Sequence, residues 1–239
     1  MVERVESGIK GFDKLVNGGI PKNSLVIVKG GPGTGKTTFC LQFLVKGIEN
    51  GEKCVMLTTE EGNGKLFRIA KNFGWELEKW KKEKKLAILS YDGENIRKIL
   101  NELKRVVKST KASRVVIDSL STISVYATAY VNIGELSIKD VIDETTVFSS
   151  PIIGDEIRRR SMHRIMRELE RLDATILMTS EDLDYDKISD FLCDGLIKLD
   201  MEAISSALQR TLRVVKMRGT NMDGSVRDME ITNKGIVVY

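Results

Sequence analysis

The sequence predicts an α/β fold, a mostly parallel sheet flanked by helices and extended near its C-terminus by antiparallel strands. Three observations predict it. Apolar strand-like runs alternate with amphipathic helical runs from Ser24 to Ser180, the pattern of strand–crossover–strand units. A glycine-rich turn, Gly30–Thr38, stands between the first such strand and a long helical run. Beyond Ser180 the runs become strand-like and the turns between them short.

Each element follows from its own pattern. "SLVIVKG", Ser24–Gly30, reads as a short buried strand and "KTTFCLQFLVKGIEN" as the helix after the turn. "KCVMLTTEE" is a second strand, with helices predicted in "GKLFRIAKNFG" and "WELEKWKKEKK". "LAILS" is a third strand. The helix "NIRKILNELKRVVKS" aligns Ile96, Ile99, Leu100, Leu103 and Val107 on one face. "RVVIDS" and "ATILMTS" are the fourth and fifth strands. The long segment between them ends in the charged helix "GDEIRRRSMHRIMRELERL", whose Met162 and Met166 are spaced for the core. "DGLIKLD", "LQRTLRVVKMRG", "VRDMEIT" and "GIVVY" make the antiparallel extension. No repeat or low-complexity linker interrupts the chain, so one domain over residues 1–239 is expected.

Composition narrows the class. A 239-residue chain that is 41% hydrophobic and 30% charged folds as a globular protein and is not disordered. Its net charge of +4 permits a nucleic-acid partner without arguing for one, because such binding needs clustered cations. Cys40, Cys54 and Cys193 lie far apart in apolar stretches, without metal-ligand spacing and with a lone His163. They read as buried thiols of a reducing cytoplasm, with zinc chemistry excluded. No run is long enough for a membrane span, so no membrane partner is expected. The basic run Lys79–Lys85 reads as a solvated helix face.

The chemistry concentrates at strand ends. "GGPGTGKTT" fits G-x-x-x-x-G-K-[ST] in its confirming context, after a strand and before a helix. Glycines let the backbone N–H groups approach phosphates closely, and the helix N-terminus adds a favourable dipole. Lys36 is expected to reach the outer phosphates of a nucleoside triphosphate and the Thr37 hydroxyl to ligate Mg²⁺. Asp118 leaves a buried strand where ligands of open sheets bind, and is the expected second holder of Mg²⁺; a helix-capping Asp is the alternative. Glu60 and Glu61 end the neighbouring strand, Glu60 as candidate base for an attacking water and Glu61 in support; solvated loop acids are the alternative. "MTSE", Met178–Glu181, is a weaker candidate for sensing the γ-phosphate.

Together these residues resemble a RecA-superfamily ATPase, most closely a single-domain, archaeal-type member of the KaiC-like group near the RadA paralogs. The resemblance runs almost end to end, through "SGIKGFDKLVNGGIPKNSLVIVKGGPGTGKTTFCLQFLVKG", "TTEE", "FGWEL", "RVVIDSLSTI", "ATILMTSE", "KMRGT" and "EITNKGIVV". It implies a RecA-like P-loop core that binds and hydrolyses ATP, leaves ADP, and assembles as a homo-oligomer, commonly a hexameric ring, with nucleotide between subunits. By resemblance Gly33, Thr34, Gly35, Lys36, Thr37 and Thr38 bind phosphates and Glu60 is the hydrolytic base. Lys216, Met217, Arg218 and Thr220 are implied to reach across from the neighbouring subunit. Asn72, Thr232 and Asn233 are implied near base or ribose, although Asn72 and Asn233 are not the typical side chains there.

Two departures bear on function. The His that often follows "KMRG[ST]" in the family is replaced by the run Asn221, Met222, Asp223. The phosphorylated Ser–Thr pair of two-domain clock members corresponds to a place near Asp190 and Phe191, which does not favour autokinase activity. The segment Ser124–Gly154 is longer than usual for the family and poor in cations. It is expected to form a hairpin or lid against a partner subunit, with a DNA contact the lesser alternative. The leading expectation is an Mg²⁺-dependent ATPase. A DNA-dependent repair or recombination accessory factor and a nucleotide-bound scaffold with little turnover are the alternatives, with DNA or a protein as client.

Overall fold

The computed structural model describes residues 2–59, 64–91, 96–126, 151–181, 187–204 and 207–239. A nine-stranded sheet organises them. Its parallel part holds β3 (Leu25–Gly30), β4 (Cys54–Thr58), β5 (Leu86–Ser90), β6 (Arg114–Asp118) and β7 (Thr175–Ser180), each matching an expected strand. β8 (Gly195–Ile204) runs parallel to β3, and β9 (Ala207–Met217), β10 (Arg227–Thr232) and β11 (Gly235–Val238) follow antiparallel. The order across the sheet is β11-β10-β9-β8-β3-β7-β6-β4-β5. β3 lies at the centre with every residue buried, as a strand covered on both faces must be. A short separate pair, β1 (Arg4–Val5) with β2 (Ile20–Pro21), has no counterpart among the expected elements; two-residue strands have no periodicity to read.

Helices cover both faces. On one lie α1 (Phe12–Leu15), α2 (Lys36–Glu49), α3 (Gly64–Asn72) and α4 (Leu77–Lys82), packed through Phe12, Phe39, Phe43, Leu66 and Leu77. On the other lie α5 (Ile96–Thr110), α6 (Leu120–Tyr126) and α7 (Pro151–Glu170). Leu100, Leu103 and Val107 of α5 meet Met162, Ile165, Met166 and Leu169 of α7 there, so both methionines are core as their spacing predicts. The six-residue α8 (Lys187–Leu192) is a further addition, too short for a helical period to register in the sequence. The three cysteines are free and buried. Lys79, Lys81 and Lys82 are exposed on α4.

The expected lid or hairpin over Ser124–Gly154 needs correction at its ends. Residues up to Tyr126 continue α6, and Pro151–Gly154 already belong to α7, Pro151 opening the helix where its missing N–H costs nothing. Residues 127–150 lie outside the described ones.

Strand register separates two groups of residues along the sheet. Gly30 pairs with Leu199, while Val26 pairs with Gly195 and Gly195 with Met217. Met217 therefore shares a row with Val26, four residues before Gly30, about 13 Å along the strand. The run Lys216–Arg218 stands at the N-terminal edge of the parallel strands; the P-loop leaves from the C-terminal edge.

Candidate nucleotide-binding site

Buried β3 delivers the chain rigidly to the loop Gly31–Gly35, and α2 begins at once with Lys36. Gly33 and Gly35 take φ of 76° and 104°, a left-handed backbone that favours glycine, which turns the loop back over the helix N-terminus. The first-turn N–H groups of α2 lack intrahelical acceptors and face this loop. The Thr34 hydroxyl donates to Gly31 O at 2.9 Å and closes the turn.

Lys36 is half-buried, and its ammonium donates to Gly30 O and Gly31 O, both at 2.9 Å. Burial lowers its pKa from the ordinary lysine value, opposed by the charges of Glu181 and Asp118. Among the described residues this cation is held by carbonyls beside two nearby acids, and it is poised for a stronger anion. The Thr37 hydroxyl donates to Asp118 Oδ2 at 2.8 Å, and Thr179, on the adjacent β7, donates to Asp118 Oδ1. Thr38 is buried one position further into α2.

The neighbouring strand ends are tied to this centre. Thr59 N donates to Asp118 O at 2.7 Å, and the Thr59 hydroxyl accepts from Ser119 N at 3.2 Å. β4 is thus locked beside β6 immediately before Glu60 and Glu61, which themselves lie outside the described residues. Ser121 Oγ accepts from Glu181 N at 2.8 Å and meets Ser180 Oγ, so "MTSE" does join the site. It does so through Thr179 and Ser180, while Glu181 is exposed.

The C-terminal hairpin reaches the same loop. Ile231 Cδ1 lies 3.0 Å from where a Cβ on Gly35 would stand, with Ile236 behind it. This puts the turn of Thr232 and Asn233 beside the start of α2. The Thr232 hydroxyl donates to Gly235 O at 2.8 Å within that turn, and Asn233 is exposed. Asn72 is exposed at the end of α3, with no hydrogen bond to the P-loop among the described residues.

Lys216, Met217, Arg218 and Thr220 are gathered elsewhere, at the opposite sheet edge. Lys216 donates to the carbonyls of Asp190 and Cys193, and to that of Phe191 at 3.2 Å, so it caps the C-terminal end of α8. Arg218 donates to Phe191 O at 3.1 Å and pairs with Asp194 at 3.4 Å. Met217 is buried against Gly195 and Val26, leaving only its backbone for a ligand. The Thr220 hydroxyl accepts from the Arg4 guanidinium at 3.2 Å.

Two contributors escaped sequence reading. Arg210 of β9 donates to Gly33 O at 3.3 Å, a cation on the P-loop of its own chain. Buried Gln42 donates to Gly8 O at 2.8 Å and Ile236 O at 3.2 Å, and accepts from Ile236 N at 2.7 Å. Its amide joins the P-loop helix to both terminal segments. A polar residue inside an otherwise apolar helical run is the signal that points to Gln42; nothing local distinguishes Arg210.

The sequence model of the KaiC ATPase family matches this chain over residues 5–136 and 132–239. The chain belongs to the KaiC ATPase family. A UPF0273 protein of Methanocaldococcus jannaschii is 33% identical over 244 residues, covering 100% of this chain and 97% of the relative. One from Thermotoga maritima is 32% identical over 261 residues with the same coverage. The circadian clock protein KaiC3 of Synechocystis is 29% identical, and the match spans 99% of this chain but 46% of that protein. The crystal structure of a KaiC-like protein from Pyrococcus horikoshii superposes with a TM-score of 0.81 at 34% identity, covering both chains fully. The fold is thus RecA-like and KaiC-like, and membership of the family supports nucleotide binding at the P-loop.

Proposed function

We propose that this KaiC-family chain is a single-domain, Mg²⁺-dependent ATPase over residues 1–239 that works as a homo-oligomer, a hexameric ring being the assembly its resemblance implies. One observation carries the reading: Thr37 and Asp118 bond at 2.8 Å beside the half-buried Lys36. The donor set suits Mg²⁺, which takes hard oxygens and keeps several waters, and needs only one or two protein ligands beside the phosphates. Thr37 and Asp118 would hold it, and when bound it would supply charge neutralisation at the β- and γ-phosphate oxygens.

The chain's own residues divide the work. Gly33–Thr38 cradle the phosphates, with Lys36 giving up its carbonyl partners for them. Glu60 takes the proton of the attacking water as its oxygen bonds to the γ-phosphorus, Glu61 in support. The bond to the bridging oxygen breaks and ADP leaves. Thr232 and Asn233 border the base or ribose beside the P-loop, and Asn72 is the least supported member of that set. Lys216 and Arg218 stand about 13 Å of strand from Gly30, so a phosphate they meet belongs to another copy.

The test is mass in solution with and without ATP, followed by mixing inactive variants. ATP-dependent assembly, and partial recovery of hydrolysis when Glu60→Gln and Arg218→Ala subunits are mixed, are expected because mixed interfaces contain both intact halves. A monomer under both conditions that hydrolyses ATP at full rate would remove the shared site.

A further inference from the structure

The face of the molecule away from α2 carries a second concentration of charge. On α5, Lys104 and Lys108 stand four residues apart on one side of the helix, and Lys111 follows in the turn just past its end. On α7, Arg160, Arg164 and Arg167 recur at intervals of four and three and share one side, and Arg171 continues the row just past the helix end. The two helices pack on each other through their apolar faces, and a Lys104–Glu168 ion pair crosses between them. Their basic sides line two adjoining cavities of ≈ 850 Å³ and ≈ 410 Å³, which share Glu168 and Arg171. Lys22 extends the larger one toward the N-terminal edge of the sheet, away from the P-loop.

The charge is concentrated to an unusual degree. Eight Lys and Arg side chains line this groove against the carboxylates of Glu168 and Asp173. That surplus of six exceeds the +4 of the entire chain, so the rest of the molecule is net negative. Lys22 also pairs with Glu3 and Lys104 with Glu168, and Arg160 and Arg164 have partners too, which weakens the field along the groove without cancelling its surplus.

The lining selects among polyanions. No Phe, Tyr or Trp lines either cavity, and the one ring there is the half-buried imidazole of His163, so there is no row of platforms for the successive stacked bases of a single strand. Among the described residues the exposed large apolar side chains lie outside α5 and α7, so this face has nothing to wedge into a bilayer. Val107 and Ala112 are buried in the groove floor, which leaves half-buried Leu172 as the one apolar side chain partly open there, a small surface for the apolar anchor of an acidic peptide. What remains is a row of planar, bidentate donors from Arg160 to Arg171, about 16 Å long, matched to regularly spaced phosphates.

We propose that the α5–α7 groove binds the sugar-phosphate backbone of double-stranded nucleic acid without reading its bases. The site is distinct from the segment Ser124–Gly154, the place where the sequence raises a DNA contact, and it lies on the other face of the sheet from α2. Phosphate contacts of this kind position a duplex and carry no sequence information.

Fluorescence anisotropy with a short random-sequence duplex and the full-length protein tests it. If about five cations meet phosphates, affinity falls about 500-fold between about 50 and 200 mM salt. The double variant Lys108→Glu/Arg167→Glu is expected to weaken binding at least tenfold and to flatten the salt slope by about two. Its neutral counterpart, Lys108→Gln/Arg167→Gln, should give a smaller change in the same direction, with ATP hydrolysis without duplex unaltered in both. The same charge change on α4, Lys79→Glu/Lys82→Glu, should leave duplex affinity within about threefold. Absence of duplex binding at low salt overturns the proposal. So does equal weakening by the α4 variant, tighter binding of single strands, or equal competition by polyglutamate or by vesicles rich in phosphatidylserine.

Discussion

The two edges of the central sheet hold their cations differently. At the C-terminal edge, half-buried Lys36 is bound by two loop carbonyls and has its pKa lowered by burial. At the N-terminal edge, Arg114 is 1% exposed and locked on all sides. It pairs with Glu52 and donates to Glu6 O and Phe43 O. Lys216 and Arg218, at that same edge, hold only the end of α8 and the exposed side of Asp194. A cation with neutral, replaceable partners can turn to a ligand; one buried and fixed by a carboxylate and two carbonyls is structural. By this criterion Lys36 and Lys216 group together across the molecule, Arg114 stands apart, and Arg218, which adds an exposed ion pair with Asp194 to its carbonyl partner, lies nearer the first two.

Four changes break or sharpen that contrast. The largest concerns rate. Arg218→Ala should lower steady-state ATP hydrolysis by about a thousandfold or more with little loss of stability; a rate near wild type would make Arg218 a second structural arginine. Arg114→Met should do the reverse, costing about 3–5 kcal/mol because it strands Glu52. Urea unfolding reads that loss, and hydrolysis per folded molecule should be unchanged. Gln42→Leu is intermediate. It leaves Gly8 O and both Ile236 backbone groups unpaired, at about 2–3 kcal/mol in thermal or urea unfolding. It should also weaken nucleotide binding, through the hairpin beside Gly35.

The smallest effect is in acid. Burial alone would raise the Glu52 carboxyl, but hydrogen bonds from Arg114 and Ser113 outweigh it and hold it below the ordinary glutamate value of 4.5. A carboxyl depressed in the folded state stabilises above its unfolded pKa and loses that contribution as pH falls through the folded one. Wild type should therefore lose stability more steeply than Glu52→Gln below pH 4.5. Parallel curves would show that the pair contributes little.

Much of the fold and of the candidate site was legible in the chain because it is local. The P-loop is nine consecutive residues between a strand and a helix, and Asp118 ends an uninterrupted apolar run. The five parallel strands from β3 to β7 fall where apolar runs predict them. What escaped depends on distant partners. Arg210 meets Gly33 across 177 positions and Gln42 meets Ile236 across 194, while for Thr179, inside the run the sequence did single out, only the partner Asp118, 61 positions away, was hidden. No local spacing encodes such pairs. The α5–α7 groove was hidden for the same reason, since each helix alone reads as an ordinary solvated basic face.

The sequence by itself determined the order of the elements, the glycine-rich loop between strand and helix and the strand-end carboxylate, because each is set by residues adjacent in the chain. Only the tertiary structure decided which edge of the sheet Lys36, Asp118, Lys216 and Arg218 occupy. Strand order and register made that choice. They bring Thr37 and Thr179 onto Asp118, and hold Lys216 and Arg218 too far from their own P-loop to serve it.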